Sequence, residues 1–178
     1  GGNPVIGPET GHTTTFGMVL QPPAVPGFSF SLDYYDIKVD DYIGNPGGAQ
    51  NIVNRCYNGD QDLCSLITFG PANTLSEIRN ININLQWLKT RGIDIEAAYA
   101  LPLSRFSNAP GAFNFRLLAT HTIENSTNLF GVVTDRVGET GGIGAPDWMG
   151  TLFLGYSAGG CQGNVTTRYI SSGVLNAL

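Results

Sequence analysis

The chain has 178 residues, of which only 13% are charged, about half the ~25% usual in soluble domains. Its net charge of −5 provides no basic surface to neutralise phosphates, which argues against nucleic acid as a partner. Hydrophobic residues reach 42%, yet no apolar run approaches the ~20 residues of a transmembrane helix, which excludes a helical membrane protein.

Six segments alternate apolar and polar side chains with a period of two, the pattern of β-strands. In the second segment, for example, Phe30 and Leu32 fall on one face and Asp33 falls on the other. The fold class is therefore predicted to be all-β. The six strands are predicted at roughly His12–Gln21, Phe28–Ile43, Leu88–Leu101, Ala112–Glu124, Asp147–Ser157 and Gln162–Ser171.

The connections between these strands are alternately short and long. Short turns are predicted near Pro22–Gly27, Pro102–Gly111 and Ala158–Gly160, and long loops at residues 44–87 and Asn125–Pro146. Tight turns at one edge and long loops at the other are typical of an outer-membrane β-barrel. We therefore predict an antiparallel meander of about six strands, forming an open arc of a barrel wall.

The first long loop, residues 44–87, contains its own secondary-structure signals. Two short helices are expected at Ala49–Tyr57 and Asp60–Ile67, followed by a β-like return at Thr74–Leu85. The loop also holds Cys56 and Cys64, eight residues apart, which in an oxidising compartment usually form a disulfide. Two free thiols or a metal-binding pair are the alternatives, although no histidine lies nearby. Cys161 is left over as a buried or interface thiol.

Alternation also occurs in soluble β-sandwiches, so a secreted β-rich binding domain, for example a carbohydrate-binding module, remains an alternative. Low charge, aromatic residues near strand ends and alternating loop lengths favour the barrel. In a barrel the charged residues face the water-filled lumen, where Glu96 and Arg116 should be neighbours across a hairpin. The predicted lumen-facing charges are Asp33, Asp94, Glu96, Arg116 and Arg168. The predicted lipid-facing residues are Phe30, Leu32, Ile93, Ile95, Phe115, Leu117, Leu152 and Leu154.

Two patterns resemble chemical sites but lack essential parts. Residues 155–159 match the G-x-S-x-G motif of α/β-hydrolases, yet no histidine follows Ser157 to complete a triad, which favours a β-turn. Asn58, Asp60 and Asp62 have the spacing of early calcium-loop ligands, but Leu63 and Phe69 occupy the positions that need Gly and Glu. A solvated turn is favoured over a weak cation site. No catalytic residue, metal site or cofactor is predicted.

Several segments resemble TonB-dependent receptors. Gly2-Asn3-Pro4 and Pro8-Glu9-Thr10 are similar to the segment that precedes a barrel strand in that family, and residues 31–38, SLDYYDIK, are similar to a family strand. The cysteine-containing loop resembles the family as well. So do the stretches 88–96, LKTRGIDIE, 146–148, PDW, and 168–170, RYI. The similarity spans nearly the whole chain in family order.

The resemblance implies part of a 22-stranded barrel in the cell outer membrane, surrounded by lipid. The chain is expected to be a partial barrel covering residues 1–178, without plug or closing strand. Its partners would be the rest of the barrel, the plug, and, through the plug, the TonB complex. The family imports scarce nutrients, here of the siderophore, cobalamin or carbohydrate class. Within the predicted extracellular loop 44–87, the candidate ligand contacts are Tyr57, Asn58, Asp60 and Asp62.

Overall fold

The computed structural model describes residues 3–107 and 109–175. These residues include eleven strands and two short helices. The strands are β1 (Thr10–Leu20), β2 (Phe28–Asp40), β3 (Ile43–Gly44), β4 (Ile67–Phe69), β5 (Leu75–Ile78), β6 (Ile83–Asn84), β7 (Trp87–Pro102), β8 (Ala112–Leu129), β9 (Val132–Asp135), β10 (Trp148–Ala158) and β11 (Cys161–Ile170). The helices are α1 (Ala49–Tyr57) and α2 (Gln61–Cys64), and 3-10 turns occur at Pro71–Asn73 and Leu103–Arg105.

The six long strands form one sheet in the order β1-β2-β7-β8-β10-β11, and the short β9 pairs with β8. Each long strand therefore lies beside the next long strand along the chain, and β8, β10 and β11 pair antiparallel. In the described residues β1 and β11 each have one neighbour, so the sheet is open. The predicted six-stranded meander and the all-β fold class are confirmed.

The chain divides into two compact units. The strand unit comprises Thr13–Ile37, Lys89–Ser126 and Asp135–Leu178, and the loop unit comprises Gly1–His12, Lys38–Leu88 and Thr127–Thr134. In the strand unit, the tight turns lie at one edge: Ala100 N donates to Gly27 O, and Leu103 N donates to Gly111 O. Pro22, Pro26 and Gly27 (φ 87°) end and reverse the chain between β1 and β2, as the sequence predicts.

The loop unit has a small hydrophobic core. Ile52 of α1 and Leu63 of α2 are completely buried, and Leu66 joins them. Partly buried side chains pack against these three: Ile67, Ile78, Ile81, Ile83 and Phe130. Two small sheets flank this core, β3 with β6 and β4 with β5. Among the described residues, no helix combines the length and apolar character needed to cross a membrane.

Two predictions inside the loops were wrong in detail. The second helix is one turn, Gln61–Cys64, because Ile67–Phe69 leaves it to form a hairpin with Leu75–Ile78. The predicted loop does not begin directly after Glu124, because β8 continues to Leu129 and pairs with β9. The turn between them, Phe130-Gly131, has positive φ at both residues (56° and 83°), as two-residue hairpin turns require.

Candidate functional site

The strand unit has one apolar and one polar face. In the β8–β10 register, Leu117 lies opposite Leu152 and Phe115 opposite Leu154, so these side chains share a face. Arg116 lies on the other face. Thr151 of β10 is on that face too, and Arg168 of β11 lies opposite Thr151, so Arg168 shares the face with Arg116. Strand alternation places Phe30, Leu32, Ile93 and Ile95 opposite their charged neighbours. We call the two surfaces the apolar face and the polar face.

Charges on the polar face are connected across neighbouring strands. Arg116 Nε donates to Glu96 Oε1 at 2.8 Å, confirming that these two residues are neighbours across the hairpin. Four residues after Arg116 in β8, Thr120 Oγ1 donates to Oδ1 of Asp94, which lies two residues before Glu96 in β7, at 2.6 Å. Asp33 lies over Gly17, where a Cβ would overlap its carboxylate. Gly17 therefore makes space for a charged side chain on this face.

The apolar face is bare. Its large side chains remain exposed, among them Phe16, Met18, Phe113, Phe115, Leu117, Leu152, Tyr156 and Val165. By contrast, the buried hydrophobic residues of the described chain, Ile52, Leu63, Leu66 and Leu85, all belong to the loop unit. A soluble sandwich buries the apolar faces of its sheets against each other. A barrel wall leaves this face for lipid.

Aromatic side chains mark both ends of the apolar face. Phe113 and Tyr156 pack with ring centroids 4.9 Å apart at the tight-turn end, and His121 stacks on Trp148 at 4.4 Å at the other end. Trp148 and Tyr156 are eight residues apart, roughly 26 Å of extended strand. At a tilt of ~40° this gives about 20 Å of height, close to the ~25 Å band of a transmembrane barrel.

In the loop unit, Cys56 and Cys64 form a disulfide that joins α1 to α2, with Cα atoms 4.8 Å apart. Next to it, Arg55 Nε donates to Asp60 Oδ2 at 2.8 Å and Arg55 Nη2 donates to Phe130 O at 2.9 Å. The guanidinium also lies over the Phe130 ring, 4.7 Å from its centroid. Arg55 thus connects the disulfide-bonded helices to the β8–β9 turn.

A cleft of about 420 Å³ opens within the loop unit. The side of the cleft formed by α2 and the residues next to it bears Asp60, Asp62 and Ser65, and the returning chain supplies Arg79, Ile81, Ile83 and Gln86. Phe130 of the β8–β9 turn completes this part of the lining. The lining therefore combines apolar side chains with a larger share of polar surface, so the cleft is more polar than most small-molecule sites.

The structure brings only two of the four candidate ligand contacts to the cleft. Asp60 and Asp62 line it, whereas Tyr57 is 90% exposed at the end of α1 and Asn58 is the residue that ends that helix. Asp60, one of the three residues with calcium-loop spacing, already forms an ion pair with Arg55. Sequence reasoning missed Arg55, Arg79 and Phe130, and Phe130 is 75 residues from Arg55.

Two further predictions concern the tight-turn end of β10. Ser157 lies within β10, and Gly159-Gly160 leads directly into β11, so the G-x-S-x-G pattern is a β-hairpin as predicted. Cys161 begins β11 and is exposed, not buried, because β11 is an edge strand. It is the one cysteine outside the disulfide.

The comparison with protein families agrees with this geometry. The family described as TonB dependent receptor-like, β-barrel matches residues 1–176. Neither a curated protein nor a solved structure gives a significant match. The family consists of outer-membrane transport receptors, not enzymes. The match therefore favours the barrel over the secreted binding domain. A bare apolar face, aromatic residues at its two ends, a charged opposite face and a family match over nearly all residues agree: the chain belongs to the TonB-dependent receptor β-barrel family of the outer membrane.

Proposed function

We propose that this chain forms part of the wall and extracellular rim of a receptor that imports a nutrient with energy delivered through TonB. The observation that carries the proposal is the pairing of a bare apolar face with a charged face on one set of strands. Such a sheet separates lipid from a water-filled lumen. The strands β1 and β11 pair with neighbouring strands of the same receptor, because exposed strand edges otherwise promote aggregation.

The polar face is proposed to line the lumen. Asp33, Asp94, Glu96, Arg116 and Arg168 then contact water and the plug, and the ion pair Glu96–Arg116 is a structural element of the wall. Apolar residues on the opposite face contact outer-membrane lipid. In this arrangement the strands provide passage and selectivity, and chemistry is not required of them.

The loop of residues 44–87 is proposed to lie outside the cell and to contact the nutrient. It is the longest connection between the long strands, and it carries its own core and disulfide. A pre-organised loop loses less conformational entropy on binding than a flexible one. Its candidate contacts are Asp60 and Asp62 in the cleft and Tyr57 and Asn58 outside it.

The transport proposal is tested by growth and uptake. A strain lacking the gene and a complemented strain are compared with a ferric siderophore, cobalamin or an oligosaccharide as the limiting nutrient, with and without TonB. We expect the receptor to promote growth on one nutrient class, and this benefit to disappear without TonB. Equal growth and equal uptake with and without the receptor, for all three classes, would contradict the proposal.

The loop is tested by deleting Asn58–Asp62 in the full-length receptor after confirming surface expression. We expect affinity and uptake of the identified nutrient to fall. Unchanged uptake and affinity would reject a binding role for this loop and would leave the wall intact as a proposal.

A further inference from the structure

We propose that the cleft of the loop unit binds a neutral, hydroxyl-rich ligand, such as the end of a carbohydrate chain. This proposal rests on the transport function above and names the ligand class for the same loop. Its residues are Asp62, Ser65, Arg79, Gln86 and Phe130. All of them belong to the loop unit.

The cleft has polar groups that the fold does not use. In the part of the chain that the structure describes, no hydrogen bond or ion pair engages the Asp62 carboxylate, although its backbone O accepts from Ser65 Oγ at 2.6 Å. Arg79 donates Nη2 to Ser65 O at 3.2 Å and its backbone N to Leu66 O, and the other two guanidinium nitrogens have no protein partner in the described residues. Gln86 accepts from Gly131 N through Oε1, which leaves its Nε2 available. One acceptor and several donors therefore remain for a ligand.

The charges of the cleft balance. Arg55 neutralises Asp60 at 2.8 Å, and the remaining Asp62 and Arg79 carry opposite charges. A charged ligand of either sign would meet a like charge beside an opposite one, because Asp62 and Arg79 both line the cleft. A hydroxyl group both donates and accepts hydrogen bonds, so it suits a cleft with a carboxylate and donor nitrogens. The charge balance therefore favours a neutral ligand with several hydroxyls.

The apolar part of the lining suits the other property of a sugar ring, its C–H surface. Phe130, Ile81 and Ile83 contribute this part of the cleft. The position of Phe130 is fixed by Arg55, which bonds its carbonyl and lies against its ring. Because Phe130 has a left-handed backbone (φ 56°), this contact matters for holding the turn. Arg55 is thus a positioning residue for the aromatic surface.

The test uses the purified full-length receptor on an array of neutral oligosaccharides and of acidic oligosaccharides that carry uronate or sialic acid. We expect binding to neutral members. Asp62→Asn and Arg79→Gln should each weaken that binding about tenfold, the effect of losing one charge-assisted hydrogen bond. The matched control is Glu77→Gln, because Glu77 is an exposed acid of β5 in the same unit and does not line the cleft. It should bind as the unmodified receptor does.

Each result decides the proposal. Intact Cys56–Cys64 linkage and normal surface expression show that a variant is folded. Arg55→Lys keeps the charge but loses the double contact, so weaker binding with normal expression supports its positioning role. The proposal is overturned if no neutral oligosaccharide binds, or if Asp62→Asn and Arg79→Gln bind as tightly as Glu77→Gln. If TonB-dependent uptake of a siderophore or cobalamin is found instead, the transport function stands and the ligand class proposed here falls.

Discussion

The strand unit and the loop unit differ in where their apolar side chains lie. The strand unit exposes the aromatic and aliphatic side chains of one sheet face, whereas the loop unit has Ile52, Leu63 and Leu66 buried around a disulfide. The loop unit therefore has the organisation of a small water-soluble domain. The strand unit has the organisation of a wall that relies on strand pairing and on lipid. One chain thus removes apolar side chains from water in two ways, in a protein core in the loop unit and against lipid in the strand unit.

The largest expected effect concerns the core of the loop unit. Leu63→Ala should lower the local stability of α1 and α2 by about 2–5 kcal/mol, because it leaves a cavity at a completely buried site. Hydrogen exchange of the full-length receptor should show faster exchange in Ala49–Phe69 and unchanged exchange in β8 and β10. The control Leu75→Ala removes a leucine that is mostly exposed in the same unit and should change little. Equal effects of the two substitutions would show that the loop unit has no core of its own.

The next effect distinguishes the two faces of the strand unit. Leu117→Lys should destabilise the full-length receptor in bilayers by about 2–4 kcal/mol, because a charged group would enter the lipid near mid-strand. The matched control is Leu118→Lys, one residue further along β8 on the polar face, where the lysine remains in water. Urea titration of the folded receptor measures the difference. Equal tolerance of both lysines would remove the distinction between the faces.

The disulfide gives the third prediction. The double substitution Cys56→Ser, Cys64→Ser opens a loop of eight residues' separation and should cost about 2–3 kcal/mol of local stability. Hydrogen exchange in α1 and α2 measures this loss. Cys161→Ser, at an exposed free cysteine, should leave the exchange of both helices unchanged. If the double variant exchanges like the unmodified receptor, the core alone holds the loop unit.

The smallest effect is expected for the ion pair on the polar face. The Glu96 and Arg116 side chains are 39% and 55% exposed, so water screens their attraction. A double-mutant cycle with Glu96→Gln and Arg116→Gln should give a coupling of about 0.2–1 kcal/mol. A coupling of several kcal/mol would mean that the pair is shielded from water, and that the polar face does not line an open lumen.

The sequence was most informative where a local rule decides the structure. Strand alternation and the turns at Pro22–Gly27 and Gly159-Gly160 depend on neighbouring residues, so the six long strands were predictable within a few positions. The extension of β8 through Asn125–Leu129 was not predictable. These polar residues read as a loop, and only pairing with β9 makes them a strand.

The cleft depends on contacts between distant parts of the chain. Asp60 and Asp62 were recognised because they lie in a long polar loop beside the two cysteines. Arg79 and Phe130 reach the same cleft from other segments, and the Arg55–Phe130 hydrogen bond spans 75 residues. No spacing rule connects such residues. Tyr57 was selected as an aromatic loop residue, but its position at the end of α1 turns it toward solvent.

The central claim is that one face of the strands contacts lipid and the other contacts water, and spin labelling tests it most directly. Single cysteines at 115–118 of β8 and 151–154 of β10 are labelled in a Cys161→Ser receptor in bilayers, and collisions with oxygen and with a water-soluble nickel complex are measured. We predict that labels at 115, 117, 152 and 154 favour oxygen, and that labels at 116, 118, 151 and 153 favour nickel. Accessibility that does not alternate with a period of two, or that alternates with the opposite sign, would contradict the account.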